Sequence, residues 1–206
     1  MKLTCGDFVD EVSSDSPAPG GGSVSALAGS LGAALVGMVA NLTLKKEQCD
    51  KTNKEIDSIL VKSLELKEQL KAYVDEDTAA FNKVMAAFKI PQGTPEEKKD
   101  RADAVQSAFR GATNLPLQVA GCCLDVLKLA QKVVQIGNPN ALSDTGVAVL
   151  MAYAGIHGAI LNVEINIGSI KDNELVNEIK EKKESITSQA EMIKSDVLMM
   201  IKNKIC

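Results

Sequence analysis

Residues 17–44 read PAPGGGSVSALAGSLGAALVGMVANLTL. Two prolines and three glycines break regular structure at the start of this stretch, and from Ser23 onward no proline or charge interrupts it. Ala26, Ser30, Ala33 and Gly37 recur at three- and four-residue spacing, which places them on one face of a helix beginning near Ser23. Small residues on that face let a neighbouring backbone approach closely, while Leu27, Leu31, Leu35 and Met38 form an apolar ridge beside it. The uncharged run 24–42 is long enough to cross a bilayer. Its many Gly, Ala and Ser residues, and the lack of an aromatic belt, favour a buried core helix and no membrane.

The segment 144–170 is also poor in charge and forms the second member of a central pair. Outward from that pair the pattern stays helical. Thr4 caps a short helix over 4–11, and residues 50–87 form a long amphipathic helix with Ile56, Ile59, Leu60, Leu64, Leu66 and Leu70 on one side. Pro91 and Gly93 mark a connection, after which Thr94, Pro95, Glu96 and Glu97 combine an N-cap, a first-turn proline and an acidic first turn. Pro116 either opens a new helix or kinks a continuous one, residues 137–140 break the chain, and 173–205 is a charged outer helix. β-branched residues sit in helical rather than alternating arrays, so the expected fold is all-α. It is a single-domain bundle over 1–206, with long antiparallel helices around buried small-residue-rich ones.

Composition narrows the function. Aromatics are 3% of the chain, Trp is absent, and the formal charge is −4, which together argue against a nucleic-acid binder. The five cysteines show no CxxC spacing, and the first dozen residues carry acids rather than an apolar h-region. Reduced thiols and a cytoplasmic location are expected. His157 is the sole histidine, which excludes the usual two-histidine metal sites and makes a core or interface role the plainer one.

Polar islands interrupt the apolar segments. Gly20, Gly21, Gly22 and Ser23 stand at the mouth of the glycine-rich helix, where backbone N–H groups and the helix dipole can meet an anion or polar ring; the plain alternative is a turn ending in a serine cap. Asn138, Asn140, Ser143 and Asp144 crowd the entry to the second low-charge helix, able to read a heterocycle's edge or simply to form an Asn-Pro turn and cap. Asp77 belongs to an acidic triplet in mid-helix, which is either a solvated patch or a proton-handling group. Asn162 and Asn166 share a helix face and need partners, from a ligand or a neighbouring helix. The Cys122-Cys123 pair has no activator nearby in sequence and reads as packing.

The PAPGGGS stretch ending at Ser23, MVANLT at 38–43, the Asp77-x-x-Ala-Phe81 element, residues 137–144 and the Leu161-Asn162-Val163-x-Ile165-Asn166 element resemble, in order and spacing, the cyclodeaminase/cyclohydrolase family. That family includes the C-terminal half of formiminotransferase-cyclodeaminase and stand-alone methenyltetrahydrofolate cyclohydrolases. The resemblance implies an all-α homodimer or higher oligomer acting on a folate one-carbon derivative, with no metal or other cofactor. For that chemistry Asp144 and Asp77, carboxylates placed in otherwise apolar or regular segments, are the expected acid/base or cation-stabilising pair. Asn138, Asn140 and Ser143 would orient the pterin or the reacting amidine, and residues 20–23 would hold a carbonyl or carboxylate end. Asn162 and Asn166 join the candidate binding residues, and Lys45 or Lys46 would meet the glutamate tail, unless they are a solvated pair. Hydrolysis of 5,10-methenyltetrahydrofolate is the expected reaction, because no formiminotransferase half accompanies the sequence. Cyclodeamination of 5-formiminotetrahydrofolate and a non-catalytic helical scaffold are the alternatives.

Overall fold

The computed structural model describes residues 3–45 and 50–205. Among these the elements are α1 (Cys5–Val12), α2 (Gly21–Leu44), α3 (Asp50–Phe88), α4 (Pro95–Ile136), a 3₁₀ turn (Pro139–Ala141), α5 (Leu142–Ile167) and α6 (Asn173–Ile205). No strand interrupts them, as the helical periodicity requires. Thr4 and Asp7 close a reciprocal cap at the start of α1, the Asp7 amide donating to Thr4 Oγ1 at 3.1 Å and the Thr4 amide to Asp7 Oδ2 at 3.2 Å. The Thr4 hydroxyl, which donates to Asp7 Oδ2 at 2.6 Å, and then the Thr4 amide hold the Asp7 carboxyl below the usual range. Thr94 and Glu97 repeat the motif ahead of Pro95, so both helix starts are encoded locally.

α2 and α5 run antiparallel at the centre, with α3, α4 and α6 around them. The small-residue face of α2 is buried, with Ala26 and Ala33 fully enclosed. A Cβ on Gly32 would stand 2.9 Å from the Ala148 carbonyl oxygen, and one on Gly155 would stand 3.2 Å from the Gly29 amide nitrogen. Hydrogen alone fits at that crossing, which is why the pair is built from glycine. The ridge beside this face is divided: Leu27 and Leu35 pack against the core, whereas Leu31 and Met38 are exposed, as is Leu64 on the apolar side of α3. Two segments, α2 and 139–167, are long and apolar enough to cross a membrane, yet 61% and 50% of their most apolar windows are buried within the chain.

Pro116 neither breaks α4 nor opens a new helix; α4 continues through it. A proline has no N–H for the carbonyl four residues earlier, and here that carbonyl belongs to Ala112. Asn166 Nδ2 donates to Ala112 O at 2.8 Å and supplies the missing donor. Asn166, expected to contact a ligand, is therefore engaged in joining α5 to α4.

Cys123 is fully buried between α4 and the central pair, and burial raises its thiol pKa far above the ordinary value. Cys122 is pushed up to about 11 by desolvation, with Asp125 adding to the effect. At pH 8 both remain thiols. Brief alkylation of the native protein, read by peptide mass mapping, should label exposed Cys5 and leave Cys123 unmodified; rapid labelling of Cys123 would contradict the packing described.

Candidate functional site

α2 begins at Gly21, two residues earlier than its sequence suggests, with Gly20 as an N-cap that offers no side-chain acceptor. Ser23 is thus not the cap. It points inward, completely buried, and its hydroxyl lies 3.0 Å from the Val74 carbonyl and 2.8 Å from Asp77 Oδ2. Those two acceptors lie on one face of α3, so Ser23 fixes the half-buried Asp77 carboxylate beside the first turn of α2. Absence of a side chain at Gly22 makes room for it: a Cβ there would stand 2.6 Å from Asp77 Cγ and 2.7 Å from Oδ2. The first-turn N–H groups lack helical acceptors and favour negative charge nearby.

Asn162 reaches the same end from α5. Its amide nitrogen donates to Gly158 O at 2.8 Å and would lie 3.5 Å from a Cβ on Gly21. Gly21, Gly22, Ser23, Asp77 and Asn162 are therefore brought together, with Gly20 at the entrance. Gly22→Ala should displace the Asp77 carboxylate while improving helix propensity. We expect at least a tenfold loss of turnover with no fall in melting temperature; unimpaired turnover would show that the placement of Asp77 does not matter.

Asn138, Asn140, Ser143 and Asp144 form a second group at the opposite end of the central pair. The Asn138 amide donates to Thr43 Oγ1 at 2.9 Å, tying this loop to the last turn of α2, and Asn138 Oδ1 accepts from the Asn140 amide at 3.0 Å. The 3₁₀ turn leads directly into α5, whose N-cap is Ala141, so neither Ser143 nor Asp144 caps the helix. Ser143 is exposed and Asp144 half-buried in its first turn. Lys45 is exposed at this end too, following α2, whereas Lys46 lies outside the described residues. At a rise of about 1.5 Å per residue, Ser23 and Thr43 are roughly 30 Å apart. One chain does not bring Asp77 and Asp144 together as the expected pair.

A groove of about 780 Å³ lies between α3 and α4. Alanines, including Ala79, Ala80, Ala86 and Ala108, dominate its walls, while Glu76 begins it next to Asp77. Between the alanines it also carries Lys83, Ser107, Asn114 and Gln118. His157 belongs to neither end. Its ring centroid is 4.4 Å from that of Tyr153, and its buried Nε2 has no hydrogen-bond partner. Tyr153 donates to Glu191 Oε2 at 2.6 Å, and this acceptor raises the phenol pKa. Nothing local signals that α5–α6 cluster, because Tyr153 and Glu191 are far apart along the chain.

The sequence matches the family model described as formiminotransferase-cyclodeaminase over residues 4–185. It is 38% identical to a methenyltetrahydrofolate cyclohydrolase of Methylorubrum extorquens, across 96% of this chain and 95% of the relative. Identity to the formimidoyltransferase-cyclodeaminase of Rattus norvegicus is 35%, across 89% of this chain but only 34% of that longer protein. The fold is similar to the crystal structure of a formiminotetrahydrofolate cyclodeaminase from Thermotoga maritima, with a TM-score of 0.89, 29% identity, and coverage of 100% of this chain and 98% of the other.

Proposed function

The chain belongs to the formiminotransferase-cyclodeaminase family, and from that premise we propose that it hydrolyses 5,10-methenyltetrahydrofolate to 10-formyltetrahydrofolate. The observation that carries the reading is the Ser23–Asp77 pair, a positioned carboxylate at a glycine-lined helix start. The substrate's methenyl carbon bridges N5 and N10 in a cationic ring. Water adds to that carbon and gives up a proton; the carbon–N5 bond then breaks, N5 takes a proton, and the formyl group stays on N10. One proton is released overall.

A carboxylate serves this course twice. Asp77 stabilises the approaching cation and accepts the proton lost by water, a contribution of order 10²–10⁴-fold for a positioned base. Ser23 donates to it and holds its orientation. Asn162 supplies the donor and acceptor that orient the reacting amidine, whereas Asn138, Asn140, Ser143 and Asp144, roughly 30 Å away along α2, do not reach the same atoms within one chain. Residues 20–23 receive a carbonyl or carboxylate edge, and Lys45 is the cation available to a glutamate tail. The reading assigns no metal or cofactor beyond the folate itself, and a cytoplasmic setting.

Cyclodeamination is the second reading, favoured by the likeness to the Thermotoga maritima enzyme. In it N10 attacks a 5-formimino carbon and ammonia leaves, so the same carboxylates would relieve N10 of a proton and protonate the departing nitrogen. Following the methenyl chromophore separates the two. Loss of absorbance from methenyltetrahydrofolate supports hydrolysis, whereas growth from 5-formiminotetrahydrofolate with ammonia release supports cyclodeamination. Folded protein inactive on both would sink the enzymatic reading and leave the scaffold.

A further inference from the structure

We propose that Lys98, Arg101 and Lys171 hold the glutamate end of the substrate at the tip of the α3–α4 hairpin, with its aromatic ring laid along the wall of α3 that leads there from Asp77; this rests on the folate reading above. At about 100° per residue, Asp77, Phe81, Met85 and Phe88 fall within about 80° of one another on α3. α2 begins beside Asp77, at Gly21 and Gly22, and does not extend along this face beyond that level. Met85 and Phe88 are accordingly 43% and 44% exposed, and Phe81 is half-buried. An apolar wall left open on one side suits an aromatic ring.

At Phe88 the wall meets a cavity of about 180 Å³ that is lined by these three cations and by no carboxylate. Two of the cations are positioned by neutral groups. Arg101 Nη1 donates to Gln92 Oε1 at 2.7 Å and its Nε to the Phe88 carbonyl at 3.3 Å, while the guanidinium lies 5.8 Å from the centre of the Phe88 ring. It is thus fixed without a counter-ion, with further N–H donors left for a carboxylate. Gln106 holds the connector 168–172 against α4, its Nε2 donating to Ser169 O at 2.9 Å and its Oε1 accepting from the Lys171 amide at 2.9 Å. That brings Lys171 to the same cavity as Lys98. Asp172, next to Lys171, is already paired with Arg110 at 3.1 Å, and Glu97, next to Lys98, closes the cap of α4.

The length fits as well as the charge. Phe88 lies about 16 Å beyond Asp77 along α3. Standard bond lengths put the far carboxylate of an extended p-aminobenzoyl-glutamate about 14 Å from the methenyl carbon, and a charge-assisted hydrogen bond adds about 3 Å. A substrate reacting at Asp77 therefore reaches the cations with its first glutamate, whose two carboxylates meet them. Lys45 stands in the opposite direction, at the far end of α2.

The test compares 5,10-methenyltetrahydrofolate with 5,10-methenyltetrahydropteroate, which lacks the glutamate. Neither the Lys98 nor the Lys171 side chain has a hydrogen bond or ion pair among the described residues, so changing both to glutamine leaves the fold intact. This double variant should raise KM for the folate at least about tenfold, as loss of charge-assisted hydrogen bonds does, and leave kcat within about twofold. Arg101→Gln should act in the same way. Wild-type protein should already show the raised KM on the pteroate, and the variants should add nothing to it. An unchanged KM on the folate, an equal rise on both substrates, or a rise confined to Lys45→Gln would each overturn the proposal. If the wild-type protein turns over neither folate, the functional reading has failed, and binding of p-aminobenzoyl-glutamate alone decides the site. Binding that weakens about tenfold in the double variant would sustain it; no binding, or binding of inorganic phosphate in its place, would overturn it.

Discussion

Asp77→Asn should lower turnover of methenyltetrahydrofolate by about 10²–10⁴-fold, the range associated with loss of a positioned general base. Asparagine is nearly the same size and can still accept from Ser23 Oγ, so the contact at 2.8 Å need not be lost. What disappears is the negative charge and the ability to take water's proton. Melting temperature should therefore stay within a few degrees of wild type. Ser23→Ala provides the internal control, since Ser23 orients Asp77 without meeting the reacting atoms. Its loss should cost about tenfold alone and nothing further in combination with Asp77→Asn, the non-additivity expected of two groups acting as one. Wild-type turnover in the Asp77→Asn protein would remove Asp77 from the chemistry, and strictly additive losses would separate Ser23 from it.

Gly32→Val should be strongly destabilising to the central pair. Its Cβ would lie 2.9 Å from the Ala148 carbonyl oxygen and 3.3 Å from the Ala152 amide nitrogen, both backbone atoms of the facing helix. Neither can rotate away as a side chain would, so α2 and α5 must separate along their most closely packed stretch. Overpacking of this kind costs about 3 kcal/mol, which for a chain of this size lowers the melting temperature by about 6–12 °C. Gly32→Ala is expected to lose less, because alanine recovers up to about 1 kcal/mol of helix propensity. A Gly32→Val protein melting within two or so degrees of wild type would mean that the helices are not in contact there.

Most element boundaries could be read locally. Thr4 with Asp7 and Thr94 with Glu97 carry their helix starts in adjacent residues, and each forms the reciprocal cap that its sequence suggests. Ser23 was less legible. A serine after three glycines looks like a cap, but Val74 and Asp77, more than fifty residues away, turn it inward and let α2 begin at Gly21. Pro116 left a break or a continuous helix open, and continuity came with a distant amide from Asn166. Asn166 needed a partner, and of the two its sequence offered, a ligand or a neighbouring helix, the carbonyl of α4 is the one the fold supplies.

By itself the sequence determined the all-α class, the two low-charge helices at the centre and the identity of the polar islands, since periodicity, caps and interruptions are properties of neighbouring residues. Only the tertiary structure decided which islands meet. The antiparallel course of α2 and α5 joins residues 20–23 to Asp77 and Asn162, while a rigid helix holds residues 138–144 at its far end. Sequence proximity and a shared chemical character carry no information about which end of a helix a distant loop will reach; that is set by packing across glycine faces, where a single close crossing fixes the direction and level of both helices.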